Sequence, residues 1–133
     1  MEIPSYDELS PLIEMALKED IGSGDITSNA IFDEYHFTRA RIYSKSEGVF
    51  CGGFLIEYIY HTMDPSVSVT LYRNEGAPVK EDDVVADIEG NVRTLLSGER
   101  TVLNFLQRTC GIATRTARMV SIVRDTNIKI LDT

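Results

Sequence analysis

The residues best placed to do chemistry lie between Ser97 and Thr114, in the run SGERTVLNFLQRTCGIAT. Arg100 and Asn104 stand four apart, so on a helix they share a face, with Arg100 about 60° from Leu103 at roughly 100° per residue. Leu96, Leu103 and Leu106 form the stripe expected to meet a core, which puts Arg100 at its border. From there a guanidinium can reach a pocket floor while its stem packs. A planar guanidinium grips a carboxylate or phosphate through two parallel hydrogen bonds. The chemistry on offer is therefore anion recognition, not acid–base catalysis, because arginine keeps its proton. A surface or interface ion pair is the other reading of Arg100 taken alone. Glu99 precedes it in the opening turns, where the helix dipole favours a carboxylate.

Charge is unevenly distributed. The net formal charge is −8, which argues against a nucleic-acid binder. Residues 1–90 carry −12, whereas residues 91–124 carry +5 through Arg93, Arg100, Arg108, Arg115, Arg118 and Arg124 against Glu99 alone. An arginine-only basic segment points to an anion or an acidic surface, or else to a solvated helix face. Other chemistries lack their motifs. There is no GxxxxGK[ST] loop, GxSxG elbow or HExxH helix. Asp82-Asp83 precedes a strand instead of ending one and reads as a solvated turn, so the acidic phosphoribosyl-pyrophosphate motif of the common phosphoribosyltransferases is missing. His36 and His61 have no Cys or carboxylate at metal-ligand spacing, and His61 suits the C-terminal end of a helix. Cys51 and Cys110 form no CxxC and are too few for a secreted disulfide scaffold. With an acidic start, MEIPSYDEL, and no apolar run of about 18 residues, the expectation is a cytoplasmic protein with neither signal peptide nor membrane span.

The elements that must position these residues are legible from periodicity. Ser10-Pro11 reads as an N-cap and first helical position, with Ile13, Ala16 and Leu17 following at helical spacing to about Asp20. Gly22 and Gly24 close that helix, and GSGD reads as a C-cap and turn. Residues 37–44 alternate, with Arg39, Arg41 and Tyr43 on one face and Thr38, Ala40 and Ile42 on the other. Glu47-Gly48 turns the chain, and Val49-Phe50-Cys51 is expected to continue the sheet. FLIEYIYHTM forms a helix ended by Pro65. Val67, Val69 and Leu71 alternate as a strand, and VVADIEG gives another ending at Gly90. From Val92 to about Asp125 the pattern is helical, with a break expected near Gly111. Ile128 to Leu131 reads as a last apolar strand. The order predicts an α+β fold, with a second domain starting at that strand.

Three blocks of the chain resemble the quinolinate phosphoribosyltransferases, also called carboxylating nicotinate-nucleotide pyrophosphorylases. Gly98 to Thr114 is similar to their G-E-R-T-x-L-N-F-x-Q-x-x-S-G-I-A-T, with Cys110 where Ser is usual, a small change expected to matter little. Ala16 to Ser28, ALKEDIGSGDITS, resembles A-L-x-E-D-x-G-x-G-D-x-T. Ser46 to Gly53, SEGVFCGG, looks like a short sheet segment of the family, and ILDT like the start of D-T-R-K-T-x-P-G.

The resemblance implies an open-faced α/β sandwich over residues 1–110, with 111–133 leading as a connecting helix and first strand into an α/β barrel. It implies condensation of quinolinate with phosphoribosyl pyrophosphate and Mg²⁺, yielding nicotinate mononucleotide, CO₂ and pyrophosphate for NAD synthesis. It implies a homodimer in which Arg100 reaches the neighbouring subunit's quinolinate site, and in which Thr133 lines the substrate pocket. The remaining substrate-binding and metal-side groups are expected beyond Thr133, so these 133 residues alone are expected to be inactive. Other readings are a same-fold relative with another substrate, such as the molybdenum-transport-associated homologue, and a domain that only dimerises. A biotinyl- or lipoyl-like carrier is suggested by GAPVKEDDVVADIEG, against which no lysine sits at a hairpin tip.

Overall fold

The computed structural model describes residues 3–22, 24 and 35–131. Helix α1 spans Tyr6–Ile21. It begins earlier than the Ser10-Pro11 pair suggests, because Ser5 and Glu8 form a capping box: the Ser5 amide donates to Glu8 Oε2 at 2.8 Å and the Glu8 amide to Ser5 Oγ at 3.4 Å. Pro11 therefore sits inside the helix, where it has no N–H to offer the Asp7 carbonyl. The Ser10 hydroxyl donates to that carbonyl at 3.3 Å. At the other end the helix stops where expected. Gly22 takes φ 58° and its amide bonds Lys18 O at 3.1 Å.

Three antiparallel strands make the main sheet, in the order β1 (Phe37–Tyr43), β5 (Val84–Asn91), β3 (Ser68–Leu71). The register sets Ala40 and Val69 against Ile88, and Arg41 and Thr70 against Asp87. Strand β2 (Gly48–Val49) does not continue this sheet as expected; it pairs with β4 (Pro78–Val79) in a separate two-stranded ladder. Phe50 then leaves the ladder for the core, where it is buried. Gly76 to Gly90, the stretch that suggested a carrier, contributes β4 and the central strand of the main sheet.

Helices α2 (Gly53–Met63) and α3 (Val92–Val123) are the other helices of the described residues. Helix α2 starts without a side-chain cap of its own. The Glu75 carboxylate accepts from the amides of Gly52 and Gly53 at 2.7 and 2.6 Å instead, satisfying donors that a helix start leaves unpaired. The period-2 alternation of β5 sends Ala86 and Ile88 toward the helices, where they join Ile13, Ile56, Ile59 and Val102 in the core. Gly90 is buried too, and a Cβ there would meet Val67 Cγ2 at 2.9 Å. The opposite face of the sheet carries the charged side chains. There Arg39 bonds Glu89, and Arg41 grips Asp87 with two bonds of 2.7 and 2.9 Å. The result is an α+β fold with helices on one face of its sheet.

Two expectations at the end of the chain are corrected. Helix α3 runs unbroken through Gly111 for 32 residues, about 48 Å at 1.5 Å per residue. Ile128 to Leu131 is not a strand: among the described residues no ladder forms alongside it, and a strand needs a neighbour to take its backbone hydrogen bonds.

Candidate functional site

Helix α3 starts from Asn91, whose side chain accepts from the Arg93 amide at 2.9 Å. The stripe it buries is Leu95, Gly98, Val102 and Leu106, rotated from the expected one. Leu106 belongs to it, whereas Leu103 is half-buried and Leu96 is 40% exposed. The rotation follows from Gly98. A Cβ there would stand 2.7 Å from the Tyr60 ring, so glycine lets the two helices close together. Tyr60 is held in turn by its hydroxyl, which donates to Leu95 O at 3.0 Å.

Leu96 and Leu103 consequently line an open cavity of about 710 Å³ together with Arg100, Asn104 and Gln107. The expected sharing of one face by Arg100 and Asn104 is what the helix presents. The Arg100 side chain is exposed and makes no ion pair or hydrogen bond among the described residues. The facing wall comes from the end of α1, through Asp20, Ile21 and Gly24. It is fixed by a contact that sequence reasoning missed: the Thr101 hydroxyl, buried, donates to Asp20 Oδ2 at 2.6 Å. The signal was present in the EDIGSG run beside Gly22, but nothing local ties it to a residue 81 positions on. Glu99 also lines the cavity. Among the described residues, the carboxylates of Asp20 and Glu99 thus line the same cavity as the Arg100 guanidinium.

The SEGVFCGG segment docks on the next turns of α3. The Val49 amide donates to Thr114 Oγ1 at 2.9 Å, and the Thr109 hydroxyl donates to Cys51 O at 2.6 Å. Cys110 Sγ lies between the Cys51 amide (3.3 Å) and carbonyl (3.2 Å), accepting from one and donating to the other. A serine hydroxyl can make the same two bonds, which agrees with the small effect expected of the change. Burial pushes both thiols up in pKa, and nearby Glu75 raises Cys51 further. These are packing thiols, not nucleophiles.

The remaining candidates are structural. His61, in the last turn of α2, shares a hydrogen bond with Val67 O at 2.8 Å through Nε2. Asp82 takes φ 65° in its turn. Asp83 accepts from the Lys80 amide at 2.9 Å and pairs with Arg73 at 3.2 Å, and these bonds hold its carboxyl below the usual carboxylate range. Thr133 lies outside the described residues.

Residues 25–110 match the family described as quinolinate phosphoribosyl transferase, N-terminal domain. The chain belongs to this family. A probable carboxylating nicotinate-nucleotide pyrophosphorylase of Bacillus subtilis is 41% identical over 126 residues, which are 95% of this chain and 43% of that protein. A mitochondrial decarboxylating quinolinate phosphoribosyltransferase, 2a, of Nicotiana tabacum is 38% identical over 117 residues, 87% of this chain and 33% of that protein. The crystal structure of NadC from Streptococcus pyogenes superposes with a TM-score of 0.96 at 32% identity, covering 100% of this chain and 47% of that one. The chain thus spans less than half the length of these quinolinate phosphoribosyltransferase relatives. Within the family frame, the cavity joins two of the blocks that carried the resemblance, Asp20 to Gly24 from one and Glu99 to Gln107 from the other. No helix among the described residues is long and apolar enough to cross a membrane.

Proposed function

We propose that this chain supplies the sandwich domain of a quinolinate phosphoribosyltransferase, which condenses quinolinate with phosphoribosyl pyrophosphate to give nicotinate mononucleotide, CO₂ and pyrophosphate in NAD synthesis. The observation that carries the proposal is Arg100: an unpaired guanidinium, on the family's most specific block, opening into a polar cavity. Quinolinate carries two carboxylates, and bidentate pairing suits them. Among its described lining residues the cavity sets Asp20 and Glu99 against the Arg100 guanidinium, so these residues repel a dianion unless further cations arrive. This supports a homodimer in which Arg100 reaches into the neighbouring subunit's barrel, where other cations complete the site. There Arg100 orients and charge-pairs quinolinate while positive charge develops at the anomeric carbon. Decarboxylation follows once the pyridine nitrogen is quaternised and can accept electrons. Thr133 is proposed to line the substrate pocket of its own subunit's barrel, and the setting is the cytoplasm.

Magnesium is proposed to come with phosphoribosyl pyrophosphate. Among the described residues no group of three or more His, Cys, Asp or Glu stands together to hold a metal. These residues do not fit a resident ion, and no step is assigned to one.

The test is a chimera in which residues 1–133 replace the matching part of the Bacillus subtilis relative. Nicotinate mononucleotide formation is expected from the chimera and none from the 133 residues alone. Arg100→Ala in the chimera should raise KM for quinolinate by about 10- to 100-fold, the range for losing a charge-assisted hydrogen bond of roughly 1.5–3 kcal/mol. The dimer should persist by light scattering. An unchanged KM rejects the role of Arg100, and turnover by the 133 residues alone rejects the need for a barrel.

A further inference from the structure

Asp20 stands where its own helix disfavours it. It lies in the last turn of α1, at the negative end of the helix dipole, where a carboxylate is unfavourable. It is exposed and makes no ion pair among the described residues, although it lines one cavity with the Arg100 guanidinium. Opposite charges sharing a cavity attract, and they pair where the side chains can meet. Glu99 lines the cavity too, but it is the helical neighbour of Arg100, and residues i and i+1 of a helix do not face each other. Among the described carboxylates, Asp20 is therefore the one set to compete for Arg100.

Thr101 stops it. This threonine follows Arg100 on α3 and is 1% exposed, and its hydroxyl donates to Asp20 Oδ2 at 2.6 Å. Mid-helix threonines commonly turn the hydroxyl back on their own helix. Thr62 on α2 does so, donating to Tyr58 O at 2.8 Å. Thr101 instead gives its single proton to a carboxylate on another helix. One Asp20 oxygen is thereby anchored at a buried position of α3, and the exposed Arg100 is left without a partner among the described residues.

We infer that Thr101 is a positioning residue for Arg100: by anchoring the Asp20 carboxylate it keeps that carboxylate off the guanidinium and leaves Arg100 open to an external carboxylate. The consequence for turnover rests on the proposed role of Arg100 at quinolinate; the anchoring does not.

Thr101→Val keeps the shape of the side chain and removes its hydroxyl, whereas Thr101→Ser keeps the hydroxyl. The first readout is the Arg100 Nε–H resonance of the 133-residue chain, assigned by its loss in Arg100→Ala. It should exchange rapidly with water in the parent and in Thr101→Ser. In Thr101→Val it should shift and exchange more slowly as Asp20 pairs with it, and adding Asp20→Ala should reverse both changes. An Arg100 signal unaltered by Thr101→Val overturns the inference. The second readout is turnover in the chimera with the Bacillus subtilis barrel. Thr101→Val should raise KM for quinolinate about three- to fivefold at constant kcat, the size of a partly exposed ion pair that the substrate must displace. Thr101→Ser should recover most of that loss. Adding Asp20→Ala to Thr101→Val should lower KM again by about twofold or more, because the competing charge is gone. If the Thr101–Asp20 bond only ties α1 to α3, removing Asp20 as well mends nothing and KM stays raised, a result that also overturns the inference. A slowed Arg100 signal with an unmoved KM would uphold the anchoring and reject Arg100 as the quinolinate ligand.

Discussion

Two guanidiniums, Arg41 and Arg100, are used in opposite ways. Arg41 is committed to Asp87, which is 3% exposed and also accepts from the Tyr72 hydroxyl at 2.9 Å. The Arg41 bonds, then the Tyr72 bond, hold the Asp87 carboxyl down to about 2 against its burial, and Arg41 itself is raised. A carboxyl depressed in the folded state stabilises the fold above its unfolded value of about 4. That contribution is lost as pH falls from about 4 through about 2. Asp87→Asn should therefore lower the urea midpoint at pH 7 and flatten its fall between pH 4 and 2; an acid limb identical to the parent's would exclude Asp87 as its source. Among the described residues Arg100 has no such partner, which leaves it available to a ligand. Its position on one face with Asn104 was legible in the i, i+4 spacing. Its neighbours Asp20 and Thr101 were not paired by sequence, because side-chain contacts between distant segments carry no periodic signal.

At the scale of elements, short-range chemistry decided where the sequence reading held and where it slipped. Gly22 ends α1 as read, since a left-handed residue is needed there. The start was misplaced because Ser10-Pro11 resembles a cap, while the Ser5–Glu8 box makes two bonds and sets the true one. Gly111 did not break α3, because a cost of about 1 kcal/mol is absorbed by packing along a helix of this length. The one-position rotation of its buried stripe is owed to Gly98 against Tyr60. Gly98→Ala tests that contact. The Tyr60 ring is buried and tethered through its hydroxyl, so the added methyl cannot be accommodated by a simple swing, whereas Met63 Sδ, 3.0 Å away, can yield. A loss of about 1–3 kcal/mol in unfolding free energy is expected. Stability equal to the parent's would show that α2 and α3 close together for another reason.

Across the whole molecule, charge follows architecture. The acidic excess of the first 90 residues includes Asp20 in the Arg100 cavity, and five of the six arginines of residues 91–124 are carried on α3, with Arg124 just after its end. A cavity whose described lining sets Asp20 and Glu99 against Arg100 is a poor anion site alone and a good complement to a cationic surface. That asymmetry is the physical reason for proposing that Arg100 serves a neighbour's site. Subunit complementation measures it most directly. One chimera with the Bacillus subtilis barrel carries Arg100→Ala, and a second keeps Arg100 but has its barrel disabled; at quinolinate well below the raised KM the first keeps at most about a tenth of the parent activity and the second keeps none. Mixed by unfolding and refolding together, half the dimers should be heterodimers with one working site, restoring about a quarter of the parent activity. No activity above that of the two separate variants would contradict the account and return Arg100 to its own subunit.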